Sequence, residues 1–277
     1  MRYTRMHGAG NSFVLIEDPR CALRGEDLRV LALRLCDPRR GPGADGMIVL
    51  RPPLGDEDCA MLFFNADGSS GEMCGNGARC AARYCVGHGL ARDPQCVRIR
   101  ATAGEVRCRR IDESLYEVRL NDPSVLEPGR EAVTERGAER CAYVELGDPG
   151  IPHAVVEVTA AELADLGTLR ARGRALRFCP VFPKGANVDF FCPDGEARVR
   201  AVTYERGVED FTLACGTGCG AIAAALLSSG RLPGGALEIV MPGGTLSVTL
   251  RREEGRVCDI LLTGPTAVLG EGELELV

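Results

Sequence analysis

The sequence predicts an α/β (α+β) protein of two pseudo-symmetric domains, each a curled, mostly antiparallel sheet wrapped around a central helix. Three observations predict it. Many short strand-like runs are punctuated by 35 glycines and 16 prolines. Two helix-length stretches consist of small apolar residues and open on glycine. Those two stretches also match each other: Met73-Cys-Gly-Asn-Gly-Ala-Arg aligns with Ala214-Cys-Gly-Thr-Gly-Cys-Gly, 141 positions later. That offset is close to half of the 277 residues, and self-similarity at such a period reads as two similar halves.

Taken in order, Phe13–Glu17, Met47–Leu50, Ala60–Phe64, Val97–Ala101 and Leu115–Leu120 read as strands of the first half. Tyr143–Leu146, Ala154–Val158, Asn187–Cys192, Ala197–Tyr204, Leu237–Val240, Leu246–Leu250 and Val257–Leu262 read as strands of the second. Several alternate apolar with polar, the period of half-buried antiparallel strands. Asp27–Arg34 and Ala161–Leu166 look like short surface helices. The longer helices run over Asn76–Gly87 and Thr217–Ser229. A helix apolar on nearly every side is buried on nearly every side, so each is expected in the middle of its sheet. Asp122-Pro-Ser and Glu127-Pro-Gly read as loops and put the boundary within Asn121–Glu139. The expected domains are therefore 1–121, carrying Cys74, and 122–264, carrying Cys215. A last strand near Thr266–Val277 returns to the first half, so that 265–277 belongs with it.

The chain has 33 Lys and Arg against 39 Asp and Glu, a formal charge of −6. Basic residues cluster at Arg98–Arg110 and Arg170–Arg177, but acidic stretches offset them. A solvated strand or helix face is expected there, and no nucleic-acid partner. No apolar run approaches the ~20 residues that cross a bilayer, and the N-terminus lacks an apolar signal segment. A cytoplasmic protein with no membrane partner is the expectation. Of the 14 cysteines no two lie three apart, which argues against a C-x-x-C zinc or redox site. With only His7, His88 and His153 as histidines, a mixed Cys/His metal site is poorly supported too. Most of these cysteines are expected to be reduced thiols packed as small hydrophobes.

Cys74 and Cys215 differ by their neighbours. Each opens a buried helix as Cys-Gly-x-Gly, where first-turn N–H groups lack intrahelical partners and glycine admits a ligand close to the backbone. The helix dipole should lower such a thiol from about 8.5 toward neutrality. The same N–H groups can hold a carboxylate. Two such motifs suit stereoinversion at a carbon beside a carboxylate. One thiolate takes the α-proton, and the other thiol returns one to the opposite face.

The residues around these motifs resemble the diaminopimelate epimerase family across essentially the whole chain. The matching segments are Met6-His-Gly-Ala-Gly-Asn-Ser-Phe, Gly43-Ala-Asp-Gly, Phe64-Asn-Ala-Asp-Gly-Ser and Met73-Cys-Gly-Asn-Gly-Ala-Arg-Cys. Further on stand Pro152-His, Ala186-Asn-Val-Asp-Phe, Tyr204-Glu-Arg-Gly-Val-Glu-Asp and Thr212-Leu-Ala-Cys-Gly-Thr-Gly. The resemblance implies conversion of L,L-diaminopimelate to the meso form, without pyridoxal phosphate or metal, by a homodimer. It implies Cys74 and Cys215 as the catalytic pair, with Gly75, Asn76, Gly216 and Thr217 contacting the reacting carboxylate. It implies Asn11, Asn65, Asn187, Glu205 and Arg206 as substrate-binding residues, and His153 with Glu205 as groups that tune the thiols. In isolation a Glu-Arg pair is an ordinary surface ion pair, Pro152-His153 a turn, and Asn11 and Asn65 turn residues.

Three positions depart from the family pattern. Ile151 stands where many members carry an asparagine that touches substrate, Gly46 where some carry glutamine, and Phe211 where a small or acidic residue is commoner. Gly41-Pro-Gly-Ala-Asp-Gly46 matches a dinucleotide fingerprint in letters only, because a strand rather than a helix is expected after it. The rival readings are a related cofactor-independent racemase of another amino acid, such as histidine or proline, a non-catalytic amino-acid-binding protein on the same fold, and a redox or metal protein using its thiols. Oxidation joining Cys74 to Cys215 and abolishing activity is a further expectation of the two-thiol reading.

Overall fold

The structure, a computed structural model, describes residues 1–71, 74–102 and 104–274. Met73 of the repeated motif and residues 275–277 of the expected last strand lie outside the described residues. By contacts the chain forms two compact units, Met1–Arg119 with Thr263–Val277, and Leu120–Leu262.

The first unit holds β1 (Arg2–Gly8), β2 (Asn11–Glu17), α1 (Gly25–Cys36), β3 (Gly46–Arg51), β4 (Cys59–Asn65), β5 (Ser70–Gly71), α2 (Gly75–Gly87), β6 (Val97–Ala101), β7 (Gly104–Arg110) and β8 (Leu115–Arg119). The second holds β9 (Pro123–Thr134), β10 (Gly137–Leu146), β11 (Ile151–Glu157), α3 (Ala160–Ala164), α4 (Leu166–Arg177), β12 (Asn187–Pro193), β13 (Arg198–Glu205), β14 (Asp210–Thr212), α5 (Gly216–Ser228), β15 (Ala236–Met241) and β16 (Gly244–Glu253). The strand β17 (Arg256–Glu273) begins in the second unit and ends in the first.

Within the first unit β2 runs parallel to β3 and β4 parallel to β6, while β1–β2, β3–β4, β6–β7 and β7–β8 are antiparallel. The end of β17 pairs with β1, and β17 also pairs with β8, so this sheet closes on itself. The second unit repeats the scheme. There β10–β11, β12–β13 and β15–β16 are antiparallel, while β11 runs parallel to β12 and β13 to β15.

Alternation along the strands sorts side chains to two faces. In the first unit Val14, Ile16, Met47, Val49 and Phe64 pack on Leu28, Leu31, Ala32 and Leu35 of α1. In the second, Ala154, Val156, Val188, Phe190, Val202 and Tyr204 pack on Leu163 of α3 and Leu169 and Leu176 of α4. Each such Leu, Val or Phe contributes about 1.5–3 kcal/mol by leaving water. The other face of each sheet is covered by a central helix: α2 touches β1, β6, β7 and β8, and α5 touches β9, β10, β11 and β16. All of α5 but Thr217 and Ser228 is buried, as its composition requires.

Two expectations need correction. The segment expected as boundary loops is the long strand β9. Pro123 opens that strand, and Pro128-Gly129 fall at a register shift against β10, between the pairs Cys141–Arg130 and Tyr143–Glu127. A bulge leaves no ladder N–H to be lost, so proline is tolerated there. Strand β1 adds to the strands expected, and β7 falls in the basic stretch expected as a solvated strand or helix face. Helix α2 is not simply apolar, since it buries Arg79 completely.

The basic clusters form paired strand and helix faces. Arg98 and Arg107 meet Glu105, Arg109 meets Glu117, Arg170 meets Asp210, and Arg172 meets Glu139 and Glu162. Among the described residues no helix is long and apolar enough to cross a membrane. All 14 cysteines are free thiols, and most are buried.

Candidate active site

In the first unit the chain turns from β1 into β2 through Ala9-Gly10, with φ of 51° and 84°. A Cβ on Gly8 would lie 2.9 Å from the Asn76 carbonyl oxygen, so glycine lets the hairpin tip press against the start of α2. Asn11, the first residue of β2, places its Oδ1 3.8 Å from Cys74 Sγ and 3.5 Å from Asn76 Nδ2. Cys74 is the N-cap of α2, with φ −134° and ψ 114°, and its sulfur accepts the Gly77 N–H at 3.5 Å. Gly75 and Asn76 lie ahead of the first intrahelical bond, which runs from the Ala78 N–H to the Cys74 carbonyl at 2.8 Å. The buried Arg79 donates to Asn76 Oδ1 at 2.7 Å and to the Gly75 carbonyl at 3.3 Å, bracing the turn that carries the cysteine. Asn65, the exposed last residue of β4, stands opposite Gly46 and donates to Ser69 Oγ at 2.9 Å.

Gly46 opens β3 beneath Phe63. A Cβ there would stand 2.7 Å from the Phe63 ring and 2.9 Å from the Phe64 carbonyl oxygen. A larger residue at this position requires Phe63 to move.

In the second unit Cys215 caps α5 in the same way, with φ −116° and ψ 107°, and its sulfur accepts the Gly218 N–H at 3.4 Å. Gly216 and Thr217 occupy the positions of Gly75 and Asn76, and Thr217 Oγ1 is 3.5 Å from Cys215 Sγ. The surroundings differ. Strands β11, β12 and β13 turn His153, Asn187, Asp189, Thr203 and Glu205 to the face opposite the apolar cluster. His153 Nδ1 lies 2.8 Å from Asp189 Oδ2, and the Thr203 hydroxyl donates to Asp189 Oδ1 at 2.7 Å. His153 and Asp189 are wholly buried and Thr203 nearly so. A methyl on Gly218 would overlap Asp189 Oδ1, so the carboxylate sits against the first turn of α5.

Burial, with these charges, reverses the expectation for Cys215. Its thiol is pushed well above the ordinary range, first by burial, then by the carboxylates of Glu205 and Asp189. The Thr217 hydroxyl and Gly218 N–H pull the other way and lose. A helix terminus is worth about 0.3–1 kcal/mol, whereas full burial can move a pKa by about 3–5 units. Burial also raises the Glu205 carboxyl, with Asp189 adding to it and Thr212 and His153 opposing.

Asn187 spends its amide on the backbone: Nδ2 donates to the Pro152 carbonyl at 3.3 Å, and Oδ1 accepts the Arg206 N–H at 2.8 Å. It thereby joins β11 to the end of β13. The Arg206 side chain is exposed and donates to the Lys184 carbonyl at 3.1 Å. Ile151 opens β11 opposite Leu146 and is half-buried, offering no polar group. Phe211 stands edge-on to Tyr204 at 6.0 Å, with the Arg170 guanidinium 5.7 Å from its ring centre, so it seals the apolar cluster.

Two residues of this cluster, Asp189 and Thr203, are not among those expected from the sequence. The signal was present in Asn187-Val-Asp-Phe: an acid two residues after a site asparagine, on the same face of a buried strand.

The family model for diaminopimelate epimerase matches residues 3–124 and 147–268. The diaminopimelate epimerase of Hydrogenobaculum sp. is 33% identical over 283 residues, covering 99% of this chain and 98% of that one. The enzyme of the same name from Xylella fastidiosa (strain M12) is 37% identical over 287 residues, covering 98% and 95%. Among solved structures, a probable proline racemase from Agrobacterium radiobacter K84 superposes with a TM-score of 0.73 at 20% identity, covering 100% of this chain and 93% of that one. That likeness speaks for the fold.

Proposed function

The chain belongs to the diaminopimelate epimerase family, and we propose that it converts L,L-diaminopimelate to the meso form with Cys74 and Cys215 as its two acid/base groups. The observation that carries the reading is the repeated cap, a cysteine at the start of each central helix whose sulfur accepts the N–H of the third helical residue. The product serves lysine and peptidoglycan precursor synthesis.

In this reading one cysteine, as thiolate, removes the α-proton, and the other, as thiol, delivers a proton to the opposite face of the carbanion. The first-turn N–H groups of Gly75, Asn76, Gly216 and Thr217 bind the carboxylate next to the reacting carbon and stabilise the charge that develops on it. Asn11, Asn65, Asn187, Glu205 and Arg206 hold the rest of the substrate; a guanidinium suits a carboxylate and a carboxylate suits an ammonium. His153 and Glu205 set the proton affinity of the thiols. The raised Cys215 thiol suits the proton-donating role. Neither pyridoxal phosphate nor a metal takes part, and the enzyme works as a cytoplasmic homodimer.

The test is α-proton exchange of L,L-diaminopimelate in D₂O under reducing conditions. The wild type should invert and deuterate the α-carbon. Cys74→Ala and Cys215→Ala should each lose at least about 10²-fold, the scale of one general acid or base. Exchange of proline or histidine in place of diaminopimelate would keep the thiol pair and replace the substrate. Absence of any exchange would remove the enzymatic reading.

A further inference from the structure

Asp189 lies against the first turn of α5, and beyond its charge on Cys215 the two-thiol scheme gives it no part. Its carboxylate has two donors, one on each oxygen. The Thr203 hydroxyl donates to Oδ1 at 2.7 Å from the directly paired residue of β13, and His153 Nδ1 lies 2.8 Å from Oδ2. The overlap that a methyl on Gly218 would make with Oδ1 shows how tightly the carboxylate is seated under α5. There the positive end of the helix dipole favours an anion, which offsets the cost of burying one. At the other end of the imidazole, His153 Nε2 is buried and has no hydrogen-bond partner among the described residues.

We propose that Asp189 is a positioning residue of the epimerase: it holds His153 in the tautomer that carries its proton on Nδ1, leaving Nε2 as a bare acceptor for proton traffic in the Cys215 half-site. The proposal rests on the two-thiol reading. A carboxylate can only accept, so the Nδ1···Oδ2 bond requires the hydrogen on Nδ1. A neutral ring then has its lone pair on Nε2. The opposite tautomer would place two acceptors against each other at 2.8 Å. It would also leave a buried N–H without an acceptor, which is costly. Thr203 fixes the carboxylate, the carboxylate fixes the ring, and the parallel register of β11 and β12, with Val155 beside Asp189, sets the reach between them. The other titratable groups of this cluster are Glu205 and Cys215, and the Asp189 charge acts on both. An aspartate that orients a histidine thus sits against the first turn of the helix that Cys215 caps.

The test combines spectroscopy with kinetics. In ¹⁵N-labelled wild type, long-range ¹H–¹⁵N correlations identify the His153 ring by its loss in His153→Gln. The expected pattern is a protonated Nδ1 and a bare Nε2. In Asp189→Asn, whose amide can present N–H to the ring, His153 should leave that tautomer. The kcat should fall on the order of 10²-fold, with KM within about threefold. A wild-type ring protonated on Nε2 would overturn the proposal. So would an Asp189→Asn enzyme with unchanged tautomer and kcat, or one in which kcat and KM deteriorate together while the tautomer stays. If Asp189→Asn does not fold, Thr203→Val removes one of the two donors with little change of shape and should lower kcat in the same sense; an unchanged kcat would count against the proposal. Failure of the wild type to epimerise diaminopimelate would instead strike the functional reading and leave the ring measurement standing.

Discussion

The first turns of α2 and α5 share a sequence pattern and a backbone, and differ in what surrounds them. Cys74 and Cys215 both cap in extended conformation and both accept an N–H from a glycine three residues on. Around Cys74 stand the neutral amide of Asn11 and, one turn deeper, the buried guanidinium of Arg79. Around Cys215 stand Glu205 and Asp189, and the position matching Arg79 is Gly220. A Cβ on Gly220 would lie 2.9 Å from Leu120 Cδ1, so an arginine has no room there. Ile151 continues the contrast, opening β11 with an apolar side chain where Asn11 opens β2 with an amide. Duplicated motifs therefore do not make duplicated thiols. The cap is a local device, and proton affinity is set by the charges and burial that the sheet brings to it.

The largest effect expected concerns the buried thiols. Cys80 in α2 is pushed up to about 12 by burial, as are Cys36, Cys108 and Cys141, and Cys215 is also held high. Between pH 8.5 and 12 the unfolded chain has lost these protons while the folded chain keeps them. Stability must therefore fall as pH rises, by about 1.4 kcal/mol per pH unit for each thiol. Urea unfolding under reducing conditions at pH 8, 9 and 10 should show a loss of several kcal/mol by pH 10. Cys80→Ala and Cys215→Ala should each remove one thiol's share of the slope. A slope indifferent to Cys215→Ala would mean that its thiol is not held protonated, and the contrast between the helices would collapse.

Next in size is the glycine three residues into each motif. Gly218→Ala drives a methyl into Asp189 and places it 3.0 Å from Thr203 Oγ1, whereas Gly77→Ala meets the flexible end of Ile48 at 3.1 Å. Overpacking costs about 1–3 kcal/mol, and alanine returns about 1 kcal/mol of helix propensity. Gly218→Ala should thus be destabilised by about 2 kcal/mol relative to Gly77→Ala. Equal unfolding midpoints would show that the Asp189 seat yields.

The smallest effect is in reactivity. At pH 7.5 iodoacetamide, read by peptide mass spectrometry, should label half-exposed Cys74 at least about tenfold faster than Cys215, since the thiolate is the reactive form. Glu205→Gln should narrow the gap. Equal rates in the wild type would contradict the electrostatic account of Cys215.

Much of the architecture was legible because its signals are local. The strand over Asn187–Cys192 alternates as a sheet edge-on to two layers requires, and the small apolar run of α5 announces a helix buried all round. Strand β9 is hidden locally because proline usually marks a loop; only the register against β10 shows Pro128 at a bulge. Arg79 gave no sign of burial, since its ligands are the helix's own Gly75 carbonyl and Asn76 side chain. Asn187 was legible as a polar residue in a buried strand, but not its use of both amide atoms to tie β11 to β13.

By itself the sequence determined what depends on neighbours along the chain. This covers the strand periods, the two glycine-opened helices, the cysteine caps and the repeat that relates them. Tertiary structure alone decided what depends on neighbours across the sheet. The Cys215 thiol shows why: its helix start argues for a lowered pKa, yet residues 10 and 26 positions upstream, Glu205 and Asp189, together with burial, reverse the sign. A helix terminus acts over one turn with a fraction of a kcal/mol, while desolvation and nearby charge in a low-dielectric interior act with several.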